Sequence, residues 1–255
     1  MTLMGEATYE QKPNKRRWRR AKRTAKINLI PRDIIVDILV RVASDSLPDL
    51  LHAKFSCHEW NELGDDVNVY KHASLAEFPV ISSWKPESAE KKRKVASFLN
   101  KCIDAQNLEA LFRRGVVGYF NGKEQEYALE CLRKAGNAGH VGAVYVICII
   151  SMLFMGGEDK EKGMEVLSAM KKSDELRGKV GDARRELTSI VKEIWNGDFV
   201  VHRQKPDCCS REDHCCTKTG WDADEENLSI DCPYCKCDFE ISVIDSVLAP
   251  SLNNR

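Results

Sequence analysis

The sequence predicts a mainly α-helical chain. A three-helix module lies near the N-terminus, helical hairpins follow it, and a small cysteine-rich segment lies at the C-terminal end. Three observations carry this reading. Between residues 30 and 42, and again between 95 and 103, apolar side chains return at intervals of three and four, the spacing of one helix face. In the middle of the chain small residues recur, Ala110 to Ala143 at an offset of 33 and Ala128 to Gly163 at 35, a period that suits stacked helix–turn–helix units. Seven of the 11 cysteines crowd between positions 208 and 237.

The first element is not a helix but an arm, residues 1–27. Nine of the 39 basic residues lie between Lys12 and Lys26 with no acid among them, so the remainder carries 30 basic against 39 acidic residues. A block of like charge repels itself and has little to bury, which predicts a solvated segment. A nuclear-import address, a solubilising tail and a phosphate-binding arm with Trp18 to stack on a base are the three readings, in that order. The formal net charge of zero argues against a chain built as a polyanion binder, so nucleic acid is not the expected partner. The longest apolar stretch, Ala143–Met155, is too short to span a bilayer. No apolar segment follows the basic arm, so neither a signal peptide nor a membrane role is expected. The expected compartment is a reducing one, nucleus or cytoplasm, where the cysteines serve as thiols or metal ligands.

The module, residues 28–80, is built from Ile30, Ile34, Ile35, Ile38, Leu39 and Val42 on a first helix, with Pro31 in its first turn. Ser46 and Asp49 form a capping pattern with Pro48 inside the first turn of a second helix, which carries Leu50, Leu51, Ala53, Lys54 and Cys57. Trp60, Leu63, Val67 and Tyr70 suggest one short third element. Such a small core is marginal alone, so the rest of the chain or a partner must complete it.

The run Ile30-Pro31-Arg32-Asp33-Ile34-Ile35-Val36-Asp37-Ile38-Leu39, then Asp49-Leu50-Leu51, then Lys54 and Cys57-His58-Glu59-Trp60, resembles an F-box. Ile30 stands where the family usually has Leu, and Asp37 where Glu is common. The later stretch from Val69-Tyr70 to Ser74-Leu75 and Pro79 is similar to plant F-box proteins with short helical-repeat tails. The resemblance implies docking on the Skp-type adaptor of a cullin–RING ubiquitin ligase of the SCF type, with an unknown target protein held by the rest of the chain. The candidate docking residues are Ile30, Pro31, Ile34, Ile38, Leu50, Leu51 and Trp60, some of which must face the module's own core. Replacing Leu50 and Leu51 with Asp is expected to abolish adaptor binding.

The second region, residues 88–196, follows a linker at Ser83–Ser88. Val95, Phe98, Leu99, Cys102 and Ile103 line one helix face, with Cys102 as a small core hydrophobe. The segment from Glu109 to Ala143, with Gly115, Tyr119, Gly122, Ala128, Leu132, Ala135, Gly139 and His140, resembles a Sel-like tetratricopeptide repeat, with a degenerate second copy to about Met170. Gly156-Gly157 marks a turn, and a last helix is expected over Arg184–Trp195. Such an array either binds a protein on its concave face or serves as scaffold.

In the segment 200–245, Cys232-Pro-Tyr-Cys235 places two thiolates on one cation, and a tetrahedral zinc needs two more ligands. Cys208 or Cys209, together with His214, Cys215 or Cys216, are the candidates, and the set taken is Cys208, Cys215, Cys232 and Cys235. The partial alternation of Asp238–Asp245 predicts a short strand beside this knuckle, and residues 246–255 form a tail. No phosphate-cradling loop, dinucleotide fingerprint or nucleophile elbow is present, so the expected role is non-catalytic, with structural zinc as the sole cofactor. Two rival readings stay open: a nuclear nucleic-acid-binding protein using arm and knuckle, and a repeat scaffold with a degenerate F-box.

Overall fold

A computed structural model of the protein describes residues 30–80, 88–194 and 233–248, with side chains from position 237 in the last stretch. Among the described residues there are α-helices and no strand: α1 (Arg32–Asp45), α2 (Leu47–Ser56), α3 (His58–Leu63), α4 (Val67–His72), α5 (Ala89–Asp104), α6 (Leu108–Phe120), α7 (Gln125–Asn137), α8 (Val141–Phe154), α9 (Gly157–Lys172), α10 (Asp174–Ile194) and α11 (Pro233–Leu248). The arm, the linker at 81–87, Trp195 and the segment carrying Cys208, Cys215 and Cys232 lie outside the described residues.

Helix starts follow local chemistry. Pro31 is the residue before α1, and its carbonyl accepts from the Ile34 N–H at 3.1 Å. Ser46 caps α2, its hydroxyl accepting from the Asp49 N–H at 3.3 Å. Ser88 caps α5 in the same way through Lys91. The expected single third element is two helices. The chain breaks at Gly64-Asp65-Asp66, where Asp66 accepts from the Asn68 N–H at 2.8 Å and starts α4 afresh. A Cβ on Gly64 would lie 2.6 Å from the Lys54 Cγ, so only glycine lets that stem cross the break.

Two apolar cores result. The first holds Ile35, Leu39, Ala43, Leu47, Leu50, Leu63, Val69 and Tyr70 from α1–α4, completed by Cys102 of α5, Ala105 just after it and Ala110 of α6. The second runs from Leu111 to Leu248 through α6–α11. The tie between them is polar as well as apolar. Asn107, buried, caps α6 through the Ala110 N–H and donates to the carbonyls of Tyr70 at 3.0 Å and Ala73 at 2.9 Å. Arg113 donates to the carbonyls of Leu75 and Phe78.

In the array, α6 pairs with α7 and α8 with α9, and α10 lies against α6, α8 and α9. The expected last helix over Arg184–Trp195 begins earlier, at Asp174, and is not the last. Its buried positions Val180, Gly181, Ala183, Arg184, Leu187, Ile190 and Val191 keep helical spacing, and the helix runs for 21 residues through Gly178 and Gly181. The expected strand at Asp238–Asp245 is instead part of α11. Its buried positions are Cys237, Asp238, Glu240, Ile244, Asp245 and Leu248, and the run Cys237, Glu240, Ile244, Leu248 has the three-and-four spacing of a helix face rather than the alternation of a strand.

Candidate docking surface

Helix α1 is apolar on two sides. Ile35, Leu39 and Ala43 recur every four residues and point into the first core. One position earlier, Ile34 and Ile38 remain 49% and 36% exposed, and Ile30 and Pro31 before the helix are exposed as well. Helix α2 repeats the pattern: Leu47 and Leu50 are buried, while Leu51 and Phe55 stand out at 45% and 83%. An isolated exposed leucine needs no account, but a set gathered in one module asks what covers it.

The sequence-derived candidates therefore separate. Ile30, Pro31, Ile34, Ile38 and Leu51 are exposed, and Leu50 belongs to the core. The paired Leu50 and Leu51 to Asp change would put a charge into that core and unfold the module, so it does not isolate a surface. Trp60 is half-buried against the first core, with its indole Nε1 buried and without a hydrogen-bond partner among the described residues. Phe55 was missed, although it follows Leu51 by four positions and so shares its helix face.

A polar hub holds the module's other side. The Asp65 carboxylate receives Lys54 at 2.9 Å, Lys101 at 3.5 Å and the Tyr70 hydroxyl, tying α2 and α4 to α5. Burial would raise Asp65, but hydrogen bonds from Tyr70 and Lys54 and the lysine charges outweigh it and hold the carboxyl below its usual range. Burial and the Asp65 carboxylate together push the Tyr70 phenol up.

A second polar group sits where the module meets the array. The Ala143 N–H donates to His140 Nδ1 at 3.0 Å, which leaves Nε2 to carry the proton and donate to Glu109 at 3.2 Å. Arg113 pairs with the same glutamate, and the His140 ring stacks on Phe112 at 4.6 Å. Burial raises Glu109, yet His140 and Arg113 hold it below the ordinary carboxylate value. Glu186 of α10 shows the opposite: burial first, then the Glu109 charge, push it up.

The buried thiols are held protonated. Burial pushes Cys102 up to about 11, Cys148 to about 12 and Cys237 to about 11. Among the described residues no three His, Cys, Asp or Glu side chains gather as a metal site, and no helix is long and apolar enough to cross a membrane. Of the sequence-derived zinc ligands, Cys208, Cys215 and Cys232 lie outside the described residues, and Cys235 is in the first turn of α11.

Comparison with known proteins bears on both regions. A family model described as plant tetratrico peptide repeats matches residues 76–192. An Arabidopsis thaliana protein named as an F-box protein is 28% identical over 208 residues, covering 79% of this chain and 67% of the relative. A second, named likewise, is 25% identical over 170 residues, 66% of this chain and 43% of its own length. A third is 25% identical over 146 residues, 57% of this chain and 83% of its own. The chain thus spans less than half of one of these relatives. No solved structure matches. The fold is helical, with a tetratricopeptide-like repeat region, and the relatives it resembles are named F-box proteins.

Proposed function

We propose that the chain is a non-catalytic substrate adaptor of an SCF-type ubiquitin ligase. The N-terminal module docks a Skp-type adaptor, which links it to the cullin core, and the repeat array presents a target protein. One observation carries this: α1 and α2 keep Ile34, Ile38, Leu51 and Phe55 outside after Ile35, Leu39 and Leu50 have filled the core. Fully burying an exposed side chain of this kind is worth ~1.5–3 kcal/mol, and a partner that covers what remains exposed here gains a fraction of that at Ile34, Ile38 and Leu51 and most of it at Phe55. The F-box names of the relatives point the same way.

The test is co-purification of the full chain with a Skp-type adaptor. Leu51→Asp and Phe55→Ala, both at exposed positions, are expected to keep the helical circular dichroism spectrum and to weaken binding by ~10-fold or more. Leu50→Asp is expected to lose fold and binding together. An intact chain that binds no such adaptor, or binds it equally well with Leu51 charged, removes the reading.

The same reading takes in a structural zinc on Cys208, Cys215, Cys232 and Cys235. Cys237 is buried against Ser168 and Met164, so Cys232 and Cys235 are the C-terminal cysteines left to bind a metal. Elemental analysis under reducing conditions is expected to show one zinc per chain, reduced by Cys235→Ser; a metal-free folded chain ends the proposal.

A further inference from the structure

Helices α6 to α10 are joined by four residues or fewer, whereas residues 195–232 lie between α10 and α11. Helix α11 is thus the one member of this set that does not follow its predecessor within a few residues. It docks against α8, α9 and α10. A buried carboxylate of α11 lies where the three helices meet. Glu240 is 0% exposed and is met by one side chain from each of three helices. Tyr145 of α8 donates to it at 2.9 Å, Lys171 of α9 at 2.5 Å, and Arg184 of α10 through two N–H groups at 2.7 and 2.9 Å. The neighbouring Phe239 ring lies beneath both cations, 5.2 Å from the Lys171 ammonium and 5.0 Å from the Arg184 guanidinium.

A buried ionic cluster is not an efficient way to fix a helix in place, because apolar side chains of the same volume hold it as well or better. What the cluster supplies is discrimination. A helix lacking the carboxylate would leave two cations buried without it, at a cost of several kcal/mol. We propose that the face made by α8, α9 and α10 is a recognition site for an acidic amphipathic helix carrying an adjacent aromatic–glutamate pair followed by aliphatic residues. In this account α11 is the occupant supplied by the chain itself, displaced when a partner helix of that chemistry binds. The charges are complementary: α11 brings Glu240 to a face that offers Lys171 and Arg184. This face is separate from the N-terminal surface, so its test stands whatever that surface docks.

The probe is a labelled peptide of residues 233–248, kept reduced. The full chain is given a site-specific protease recognition sequence within 205–225, folded and then cleaved. The cleaved chain is expected to bind the peptide saturably and to release it to unlabelled peptide. The uncleaved chain is expected to bind ~100-fold more weakly, because its own α11 competes at millimolar effective concentration. A Glu240→Gln peptide is expected to bind ~30-fold more weakly or worse. Failure of the cleaved chain to take up peptide, equal binding of the Glu240→Gln peptide, or collapse of the array on cleavage each overturns the proposal. Hydrogen exchange on the unmodified chain gives an independent check. The α11 amides are expected to exchange before those of α8, and exchange of both as one unit counts against a displaceable helix.

Discussion

At the level of single residues, the informative side chains are those whose neighbours outvote their type. Leu50 and Leu51 are adjacent and chemically identical, yet one fills the core and the other stays outside. A leucine list cannot separate them; only the phase of α2 against α1 does. His140 reads in sequence as a turn residue and proves to be both the cap of α8 and a donor to Glu109. Glu186 belongs to the same cluster and gives a prediction with a definite sign. Its folded pKa is raised, so its ionised form costs stability above that value and costs nothing once pH falls below about 4.3, the value of a free glutamate. Glu109 has the reverse sign: its contribution is present above about 4.3 and is lost as pH falls through its lowered folded value. Glu186→Gln should therefore raise the melting temperature at pH 7, and the gain should disappear near pH 4. A shift of equal size at both pH values would mean that burial of the side chain, not its charge, sets the cost.

At the level of elements, periodicity located the helices and missed what interrupts or prolongs them. The interruption at Gly64–Asp66 depends on Lys54, ten positions away, and the length of α10 depends on contacts with α6 and α8. The repeat period was legible because close helix approach demands small side chains. In α6 and α7 the glycines sit on the first helix: a Cβ on Gly115 would lie 2.5 Å from the Leu132 Cγ and 2.9 Å from the Ala128 carbonyl. In α8 and α9 the glycine sits on the second helix, where Gly163 meets Ser151 and Cys148. Thirty-three residues on from Gly115 stands Cys148, so the close approach is kept while the glycine changes sides. Gly115→Ala should then cost stability, about 1–3 kcal/mol of overpacking against a gain of at most about 1 kcal/mol in helix propensity. Gly178 on α10 has nothing within 4 Å of its would-be Cβ, so Gly178→Ala should stabilise by up to about 1 kcal/mol. Chemical denaturation of the two variants measures both, and the opposite order would mean that α6 and α7 separate freely.

For the whole molecule the question is how a docking module and an array behave as one body. The first core is not closed by α1–α4; Cys102, Ala105 and Ala110 finish it, and Ile103 touches both cores. Neither the module's pattern nor the repeat period could show this, because each describes its own region and the join is made by Asn107 and Arg113, which carry no periodic signal. Asn107 is the stronger pin. Its side chain caps α6 and holds the carbonyls of Tyr70, inside α4, and Ala73, just beyond it, with all three bonds buried. Asn107→Ala removes a cap worth ~1 kcal/mol and strands buried acceptors at a further ~1–3 kcal/mol. If this pin couples the two cores, the native chain melts in one calorimetric transition, and the variant melts in two with the N-terminal module first. The reason lies in size: the module is a short core that borrows from α5 and α6, while the array spans six helices and keeps its own. A single transition lowered as a whole would place the coupling in the apolar contact at Ile103, and a double Ile103→Ala, Asn107→Ala variant would then be the one to split.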